Sequence, residues 1–164
     1  EIDELLALLF ADDVSSFNDT VIRLQRQINC IEEFCNIVGM QINLDKTKIV
    51  VFRNGGILKQ SEVWYYNNEK IDIVSFYKYL GIFFTPKLKW SKTQEMLSLQ
   101  GMKASACIFR YQRKFGHLEP LDMFKIFDAM VKPILTYGAE LWGFKYIEKI
   151  EAVQIKFCKQ YEWL

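Results

Sequence analysis

Residues 5–17 read Leu-Leu-Ala-Leu-Leu-Phe-Ala-Asp-Asp-Val-Ser-Ser-Phe. Residues 5–10 are all apolar, which predicts a buried strand, and an apolar-leaning pattern resumes at residues 14–17. The acids Asp12 and Asp13 separate these two runs. Strand, acidic turn and strand together predict a tight β-hairpin with both carboxylates at its tip.

The acidic pair is the first candidate for chemistry. Two adjacent carboxylates repel each other, and a divalent cation relieves that repulsion because carboxylate oxygens are hard ligands of the kind Mg²⁺ prefers. In two-metal phosphoryl transfer, such carboxylates hold two ions about 3.5–4 Å apart. Asp12 and Asp13 are therefore candidate Mg²⁺ ligands, although a solvated acidic turn explains an Asp-Asp pair taken alone.

A long amphipathic helix should follow the hairpin. Apolar residues recur at steps of three and four from Val21 to Val38, Asn18 or Asp19 can cap the helix, and Gly39 can end it. Short strands rich in β-branched and aromatic residues should come next, at residues 40–43, 49–52, 63–66, 71–74 and 76–85. Turn signals at residues 54–56 and 67–68 separate some of them.

The pattern changes to helices at Ser91. Ser91 and Gln94 have the spacing of a capping box, and the helix they begin should reach about Lys114. Pro120 is placed to begin the next helix, which should break near Pro133. The apolar stripe of a last helix is Tyr146, Ile150, Val153 and Phe157.

The sequence therefore predicts an α+β fold in two parts. Residues 1–90 are mixed α/β and carry 10 basic and 12 acidic side chains, a net charge of −2. Residues 91–164 are all-α and carry 11 basic and 8 acidic side chains, a net charge of +3. The basic residues concentrate in the first helix of the second part, where they indicate either a solvated face or a surface for a phosphate backbone.

Composition excludes several classes. The 164 residues are 51% hydrophobic and 25% charged, which is typical of a chain that folds around a core. No apolar run reaches the ~20 residues that a membrane span requires. Four scattered cysteines and the single His117 do not have the spacing of a zinc site, and with no signal peptide they indicate an intracellular protein of the nucleus or cytoplasm. Because a strand pattern begins almost at Glu1, we expect the chain to be a piece of a longer protein.

Four motifs occur in order along the chain. They are Phe-Ala-Asp-Asp at 10–13, Gly-Met-Gln-Ile-Asn-Leu-Asp-Lys-Thr-Lys at 39–48, Phe-Tyr-Lys-Tyr-Leu-Gly at 76–81 and Val-Lys-Pro-Ile-Leu-Thr-Tyr-Gly-Ala-Glu-Leu-Trp-Gly at 131–143. This series resembles the reverse transcriptases of non-LTR (LINE-type) retrotransposons. The first motif is similar to the Tyr/Phe-x-Asp-Asp motif of the polymerase palm, and the third to the primer-grip motif, with Tyr77 as an extra aromatic residue. Four motifs in the family's order are more specific than any one of them.

The resemblance implies a partial polymerase palm at residues 1–90 and a thumb-like helical region at residues 91–164. Asp12 would be a catalytic, metal-binding carboxylate, Asp13 its supporting partner, and Mg²⁺ the cofactor. Lys46, or Lys48 as second choice, would approach the triphosphate, although a surface lysine after a turn explains the spacing. The residues implied in nucleic-acid contact are Phe76, Lys78, Tyr79, Leu80, Gly81, Lys92, Lys103, Arg110, Arg113 and Lys114.

The resemblance also shows what this chain lacks. In the family, a third metal carboxylate and the fingers lie upstream of the Asp-Asp hairpin, and only Glu1, Asp3 and Glu4 precede it here. We therefore expect the chain alone to be inactive, and the complete protein to use an RNA template and a DNA primer. The alternatives are a non-catalytic nucleic-acid-binding remnant and a protein-interaction module with an exposed sheet edge. Tyr137 and Trp142 could stack on bases, but packing between the last two helices is the preferred interpretation.

Overall fold

The computed structural model describes residues 7–116, 118–144 and 147–162, and within them the chain is a mixed α+β fold. The strands are β1 Ala7–Phe10, β2 Asp13–Ser16, β3 Lys48–Ile49, β4 Tyr65–Tyr66, β5 Glu69–Lys70, β6 Asp72–Ile73, β7 Tyr77–Tyr79 and β8 Ile82–Phe84. The helices are α1 Val21–Val38, α2 Ser91–Phe115, α3 Pro120–Met130, α4 Lys132–Leu135, α5 Ala139–Trp142 and α6 Glu148–Glu162. His117 and Tyr146, which entered the sequence analysis, lie outside the described residues.

The chain divides into two compact units, the first ending at Tyr77 and the second beginning at Lys78. The composition change at residues 90 and 91 therefore comes later than the change of unit. The reason is that the segment before α2 already belongs to the helical core. Ile82 and Trp90 are buried there together with the apolar side chains of the helices.

The first unit is built on α1. Ile28 of this helix is buried with Tyr66 of β4 and with Trp64 and Ile71, which directly flank the β4–β5 hairpin. The Trp64 indole donates a hydrogen bond to the Val21 carbonyl over 3.1 Å. The strands form two-residue pairs, β4 with β5 antiparallel and β3 with β6 parallel. These contacts make α1 the support of the strand region of the unit.

The ends of α1 follow capping rules, one of them at an unpredicted residue. Thr20 caps the start, with its hydroxyl accepting a hydrogen bond from the Arg23 amide over 3.3 Å, so the prediction of Asn18 or Asp19 was wrong. Gly39 ends the helix as predicted, in the left-handed conformation at a φ of 71°.

The second unit packs its helices around α2. Its core consists mainly of large apolar side chains from α2, α3 and α6, among them Leu97, Phe109, Phe127, Val153 and Phe157. The Phe157 ring lies 4.5 Å from that of Phe127 and 5.0 Å from that of Phe109, between centroids. In the described residues, no helix combines the length and the apolar character needed to cross a bilayer.

Of the two predicted helix starts in this unit, one is confirmed and the other was wrong. Pro120 is the first residue of α3, as predicted, and the helix ends before the short α4 that contains Pro133. The capping box at Ser91 was wrong. Trp90 occupies the cap position without a side-chain hydrogen bond, so Ser91 is already inside the helix.

All five strands predicted between residues 40 and 85 also need correction. Residues 40–43 form no strand, and the Met40 amide is bonded instead to the Cys35 carbonyl at the end of α1. Residues 76–85 form the hairpin β7–β8 rather than one strand, because Leu80 and Gly81 both have positive φ and reverse the chain. The segments predicted at 49–52, 63–66 and 71–74 are strands only over the residues where each one pairs.

Candidate functional site

The acidic pair lies at the tip of a hairpin, as predicted. β1 and β2 are antiparallel and pair Phe10 with Asp13, which leaves Ala11 and Asp12 as a two-residue turn. Ala11 has a φ of 51°, a left-handed conformation that costs an L-residue about 1–2 kcal/mol. Both Asp12 and Asp13 are exposed to solvent. The turn therefore presents two neighbouring carboxylates outward on a strained backbone.

The strand that leads to this pair is not buried, which contradicts the prediction for residues 5–10 over the described part, residues 7–10. The exposed fractions of Leu8, Leu9 and Phe10 are 59%, 75% and 61%, and that of Val14 on β2 is 53%. Leu8 and Leu9 point to opposite faces of the strand and both are exposed, so each face of the hairpin meets solvent there. Within the described residues, β1 and β2 pair only with each other. The Ser16 hydroxyl joins the hairpin to α1 by donating to the Gln27 side-chain oxygen over 2.6 Å.

The donor chemistry of the tip fits Mg²⁺. This ion is usually bound through one or two carboxylates, with water and substrate phosphates completing its octahedron. Asp12 and Asp13 supply such a pair. Across residues 7–116, 118–144 and 147–162, no group of three or more His, Cys, Asp or Glu side chains is placed to hold a metal ion. The tip thus offers two ligands of the right kind and needs others from substrate, solvent or another segment.

The loop after α1 distinguishes the two candidate lysines. Asn43 organises the loop, because its carbonyl accepts hydrogen bonds from the amides of Lys46 and Thr47 over 3.2 and 3.0 Å. The Tyr77 hydroxyl donates to the Lys46 carbonyl over 2.8 Å and fixes the backbone at that residue. The Lys46 side chain itself is exposed.

Lys48 is engaged within the fold. Its ammonium group lies 2.7 Å from the Asp72 carboxylate and 3.4 Å from the Leu44 carbonyl oxygen. Lys48 and Asp72 are direct partners in the β3–β6 pair. Lys46 is consequently the lysine of this motif that is better placed to approach a ligand.

Residues 76–81 contribute to both units. Phe76 and Tyr77 belong to the first unit, and Lys78, Tyr79, Leu80 and Gly81 to the second. Leu80 and Gly81 have φ values of 45° and 82°, the two positive angles of a type I′ hairpin turn. A glycine at the second position matches the preference of that turn.

The turn at Leu80 and Gly81 is held by Tyr137, a residue of the fourth motif. The Tyr137 hydroxyl donates a hydrogen bond to the Leu80 carbonyl over 2.8 Å. A Cβ atom added to Gly81 would lie 3.1 Å from the Tyr137 ring. The prediction that Tyr137 packs between the last two helices was wrong, since its ring covers Gly81, whereas Trp142 is buried.

Two lysines share one aromatic ring next to the turn. The Nζ atoms of Lys78 and Lys92 lie 5.9 and 4.8 Å from the centre of the Phe83 ring. Both distances are in the range of cation–π attraction. A cleft of about 320 Å³ opens beside them, lined by Lys78, Gly81, Met96, Leu97, Gln100, Pro133, Ile134 and Tyr137.

The basic residues of α2 form a single exposed stripe. At 3.6 residues per turn, Lys92, Lys103 and Arg110 fall within about 20° of one another around the helix axis. Lys114 lies about 40° to one side of Lys92 and Arg113 about 60° to the other. All five are exposed, and the stripe runs for about 33 Å along the helix. Their spacing thus places the positive charges in a band about 100° wide, on the side of α2 away from the core.

The structure gathers the predicted residues into local groups, and it adds three that sequence reasoning missed. Tyr77 was treated as an extra aromatic residue, but it anchors the Lys46 loop. Tyr137 was treated as packing, but it holds the turn at Leu80 and Gly81. Thr93 is fully buried and accepts a hydrogen bond from the Phe83 amide over 3.0 Å. The sequence signals for this contact were the dipeptides Tyr137-Gly138 and Leu80-Gly81. Neither dipeptide indicates that it packs against the other.

No family model, no curated protein and no solved structure matches this chain.

Proposed function

We propose that this chain is part of an RNA-directed DNA polymerase. Residues 1–90 would contribute the second half of the palm, and residues 91–164 the thumb-like region. The observation that carries the proposal is the hairpin tip, where Asp12 and Asp13 face solvent side by side on a strained turn. Strained residues that a fold maintains are frequent at active sites. The order of the four sequence motifs supplies the rest of the support.

Asp12 would be the principal Mg²⁺ ligand of this chain, and Asp13 its neighbour. When bound, Mg²⁺ in nucleotidyl transfer neutralises charge on the reacting phosphate and lowers the pKa of the attacking hydroxyl. The contribution of the chain is to present both carboxylates at one fixed turn. A further carboxylate and the fingers would come from an upstream segment, so the chain alone would be inactive.

Lys46 would serve the triphosphate. Its exposed side chain extends from a loop whose backbone is fixed by Asn43 and Tyr77, which leaves the ammonium group open to a ligand. A positive charge beside the leaving pyrophosphate stabilises the negative charge that develops there, and an ammonium can also donate a proton to it. Lys48 is unsuited to this role because it is paired with Asp72.

The second unit would hold the template–primer duplex. A stripe of five cations about 33 Å long suits the regular spacing of backbone phosphates, and it would bind them without reading the base sequence. The turn at Leu80 and Gly81 would lie against the primer end, with Lys78 and Lys92 beside it on Phe83.

A second candidate function is supported by the apolar hairpin. Leu8, Leu9, Phe10 and Val14 are all more than half exposed. Large exposed apolar patches usually mark an interaction site. This surface favours a protein-interaction module derived from a retroelement, and it is also the surface that an upstream palm segment would cover.

The test uses an extended chain, in which a palm-and-fingers segment of a reverse transcriptase is joined ahead of residue 1, assayed for DNA synthesis on an RNA template. Asp12→Asn should abolish synthesis. The matched control is Asp19→Asn, another exposed aspartate of the same unit, whose carboxylate forms an ion pair with Arg23 over 3.5 Å. Synthesis that survives Asp12→Asn would contradict the polymerase assignment. Salt-sensitive duplex binding that survives Asp12→Asn but is lost with Lys103→Gln and Arg110→Gln, in a chain that makes no DNA, would favour the non-catalytic remnant.

A further inference from the structure

We infer that Tyr137 is a positioning residue for the primer end, acting through the turn at Leu80 and Gly81. This inference rests on the proposed function, in which that turn lies against the primer. It assigns a role to the fourth motif, which the proposed chemistry leaves without one. Tyr137 itself would touch neither the reacting atoms nor the metal.

Tyr137 contacts both residues of the turn. The Tyr137 hydroxyl donates to the Leu80 carbonyl over 2.8 Å, and this carbonyl belongs to the first of two residues with positive φ. Gly81 lies so close that a Cβ atom there would be 3.1 Å from the Tyr137 ring. The ring and the hydroxyl thus hold adjacent residues of a turn whose conformation is costly for any residue but glycine.

Tyr137 is itself anchored. The indole nitrogen of the buried Trp142 donates to the Tyr137 carbonyl over 3.0 Å. The next residue, Gly138, has a φ of 66°, and a Cβ atom there would collide with the Ile82 side chain. The corner between α4 and α5 and the start of β8 therefore fit together through two glycines. Each glycine leaves room for a side chain of the other segment.

A second anchor holds the other end of the hairpin. The buried Thr93 hydroxyl of α2 accepts from the Phe83 amide over 3.0 Å and donates to the Phe83 carbonyl over 3.4 Å. Thr93 fixes β8 on α2, whereas Tyr137 fixes the turn against the α4–α5 corner. If the Tyr137 bond is removed, the strand should stay in place while the turn becomes mobile.

The decisive variant is Tyr137→Phe, because it keeps the ring over Gly81 and removes only the hydroxyl. Tyr65→Phe, at a half-exposed tyrosine of the first unit, is the matched control. The first readout is amide hydrogen exchange of the full chain without nucleic acid. We expect exchange at Tyr79 and Ile82, the residues of β7 and β8 that flank the turn, to accelerate about twofold to tenfold in Tyr137→Phe, with no change at Phe83, whose amide is bonded to Thr93.

The second readout separates positioning from folding. The full chain is titrated onto an RNA–DNA duplex that carries 2-aminopurine as the last base of the primer strand. Tyr137→Phe should bind the duplex with unchanged affinity, because the basic stripe of α2 is intact, but the fluorescence change at the primer end should be lost. Tyr65→Phe should behave like the unsubstituted chain in both respects.

The two readouts distinguish a failed positioning role from a failed proposed function. If exchange at the turn is unchanged in Tyr137→Phe, or if it accelerates and the primer-end signal persists, the positioning role is wrong while the proposed function stands. Reduced duplex affinity together with faster exchange throughout the unit would show a purely structural role and overturn the inference. If the unsubstituted chain shows no salt-dependent duplex binding, the proposed function falls, and the primer role of Tyr137 falls with it.

Discussion

The Lys48 ammonium lies 2.7 Å from the Asp72 carboxylate, directly across the parallel pair of β3 and β6. This ion pair joins the motif after α1 to the strand that follows the β4–β5 hairpin. The pair lowers the pKa of Asp72, chiefly because the Lys48 side chain donates a hydrogen bond to the ionised carboxylate. Lys46, two residues earlier, is exposed. Two lysines of one motif thus have different environments, and they should respond differently to substitution.

We predict that Lys48→Gln lowers the stability of the first unit and that Lys46→Gln does not. Lys48→Gln removes the partner of Asp72, whereas Lys46 extends into solvent from a loop held through its backbone. Urea unfolding of the full chain followed by circular dichroism measures the effect. In the extended chain, Lys46→Gln should instead slow DNA synthesis. Equal unfolding midpoints for the two variants would contradict this division of roles.

Acid should weaken the first unit through Glu62. Its carboxylate accepts hydrogen bonds from the Arg53 guanidinium over 2.7 Å and from the Lys59 amide over 2.6 Å, and these bonds lower the pKa of Glu62 below its ordinary value of 4.5. A pKa lower in the folded state means that the ionised group stabilises the fold above the unfolded pKa. That stabilisation is lost as the pH falls through the folded pKa.

The measurement compares unfolding midpoints of the unsubstituted chain and of Glu62→Gln at about pH 6 and about pH 3. The unsubstituted chain should be the more stable at the higher pH, and the difference should shrink at the lower one. Glu69→Gln, at an exposed carboxylate of β5, is the control for loss of a surface acid. A difference that grows on acidification would show that the sign is wrong.

The sequence predicted those features of the fold that depend on local periodicity and chain reversal. α1 and its end at Gly39, the Asp12-Asp13 hairpin and the start of α3 at Pro120 were all predicted. Solvent exposure of β1 was not predictable, because an apolar run is the same whether or not another segment covers it. The division of residues 76–85 into two strands was missed because aromatic residues flank the turn on both sides.

The candidate site was predictable only where it depends on residues close together in the sequence. Asp12 and the basic stripe of α2 follow from neighbouring residues and helical spacing. The contact of Tyr137 with Leu80 joins residues far apart in the chain, and no local pattern specifies such a pair. The choice between Lys46 and Lys48 likewise depended on Asp72, whose pairing partner becomes known only when β3 lies beside β6.

Thr93→Val should destabilise the second unit by about 1–3 kcal/mol. The substitution preserves volume but leaves the amide and carbonyl of Phe83 without their buried hydroxyl partner. Thr136→Val is the matched control, because the exposed Thr136 hydroxyl bonds to the Lys132 carbonyl over 3.0 Å. Its effect should stay within about 0.5 kcal/mol. Urea unfolding monitored by circular dichroism measures both, and similar losses would contradict the role given to Thr93.

Gly101→Ala should destabilise the chain even though alanine is the better helix former. The gain in helix propensity is about 1 kcal/mol. A Cβ atom at Gly101, however, would collide with the buried Leu135 side chain and lie 3.5 Å from Val153. Overpacking of this kind costs about 1–3 kcal/mol, and at a buried contact this close we expect the cost to exceed the gain, for a net loss of up to about 2 kcal/mol. The control is Gly55→Ala, where a Cβ atom would meet nothing within 4 Å.

A double variant identifies the collision as the cause. Leu135→Val shortens the side chain that the added methyl group would strike, so Gly101→Ala should cost less in that background than in the unsubstituted chain. The free energies of unfolding of the two single variants and the double variant give this coupling directly, and residues in contact commonly show about 0.5–3 kcal/mol of it. If the two losses simply add, the close approach of α2 and α4 at Gly101 is not what makes glycine necessary there.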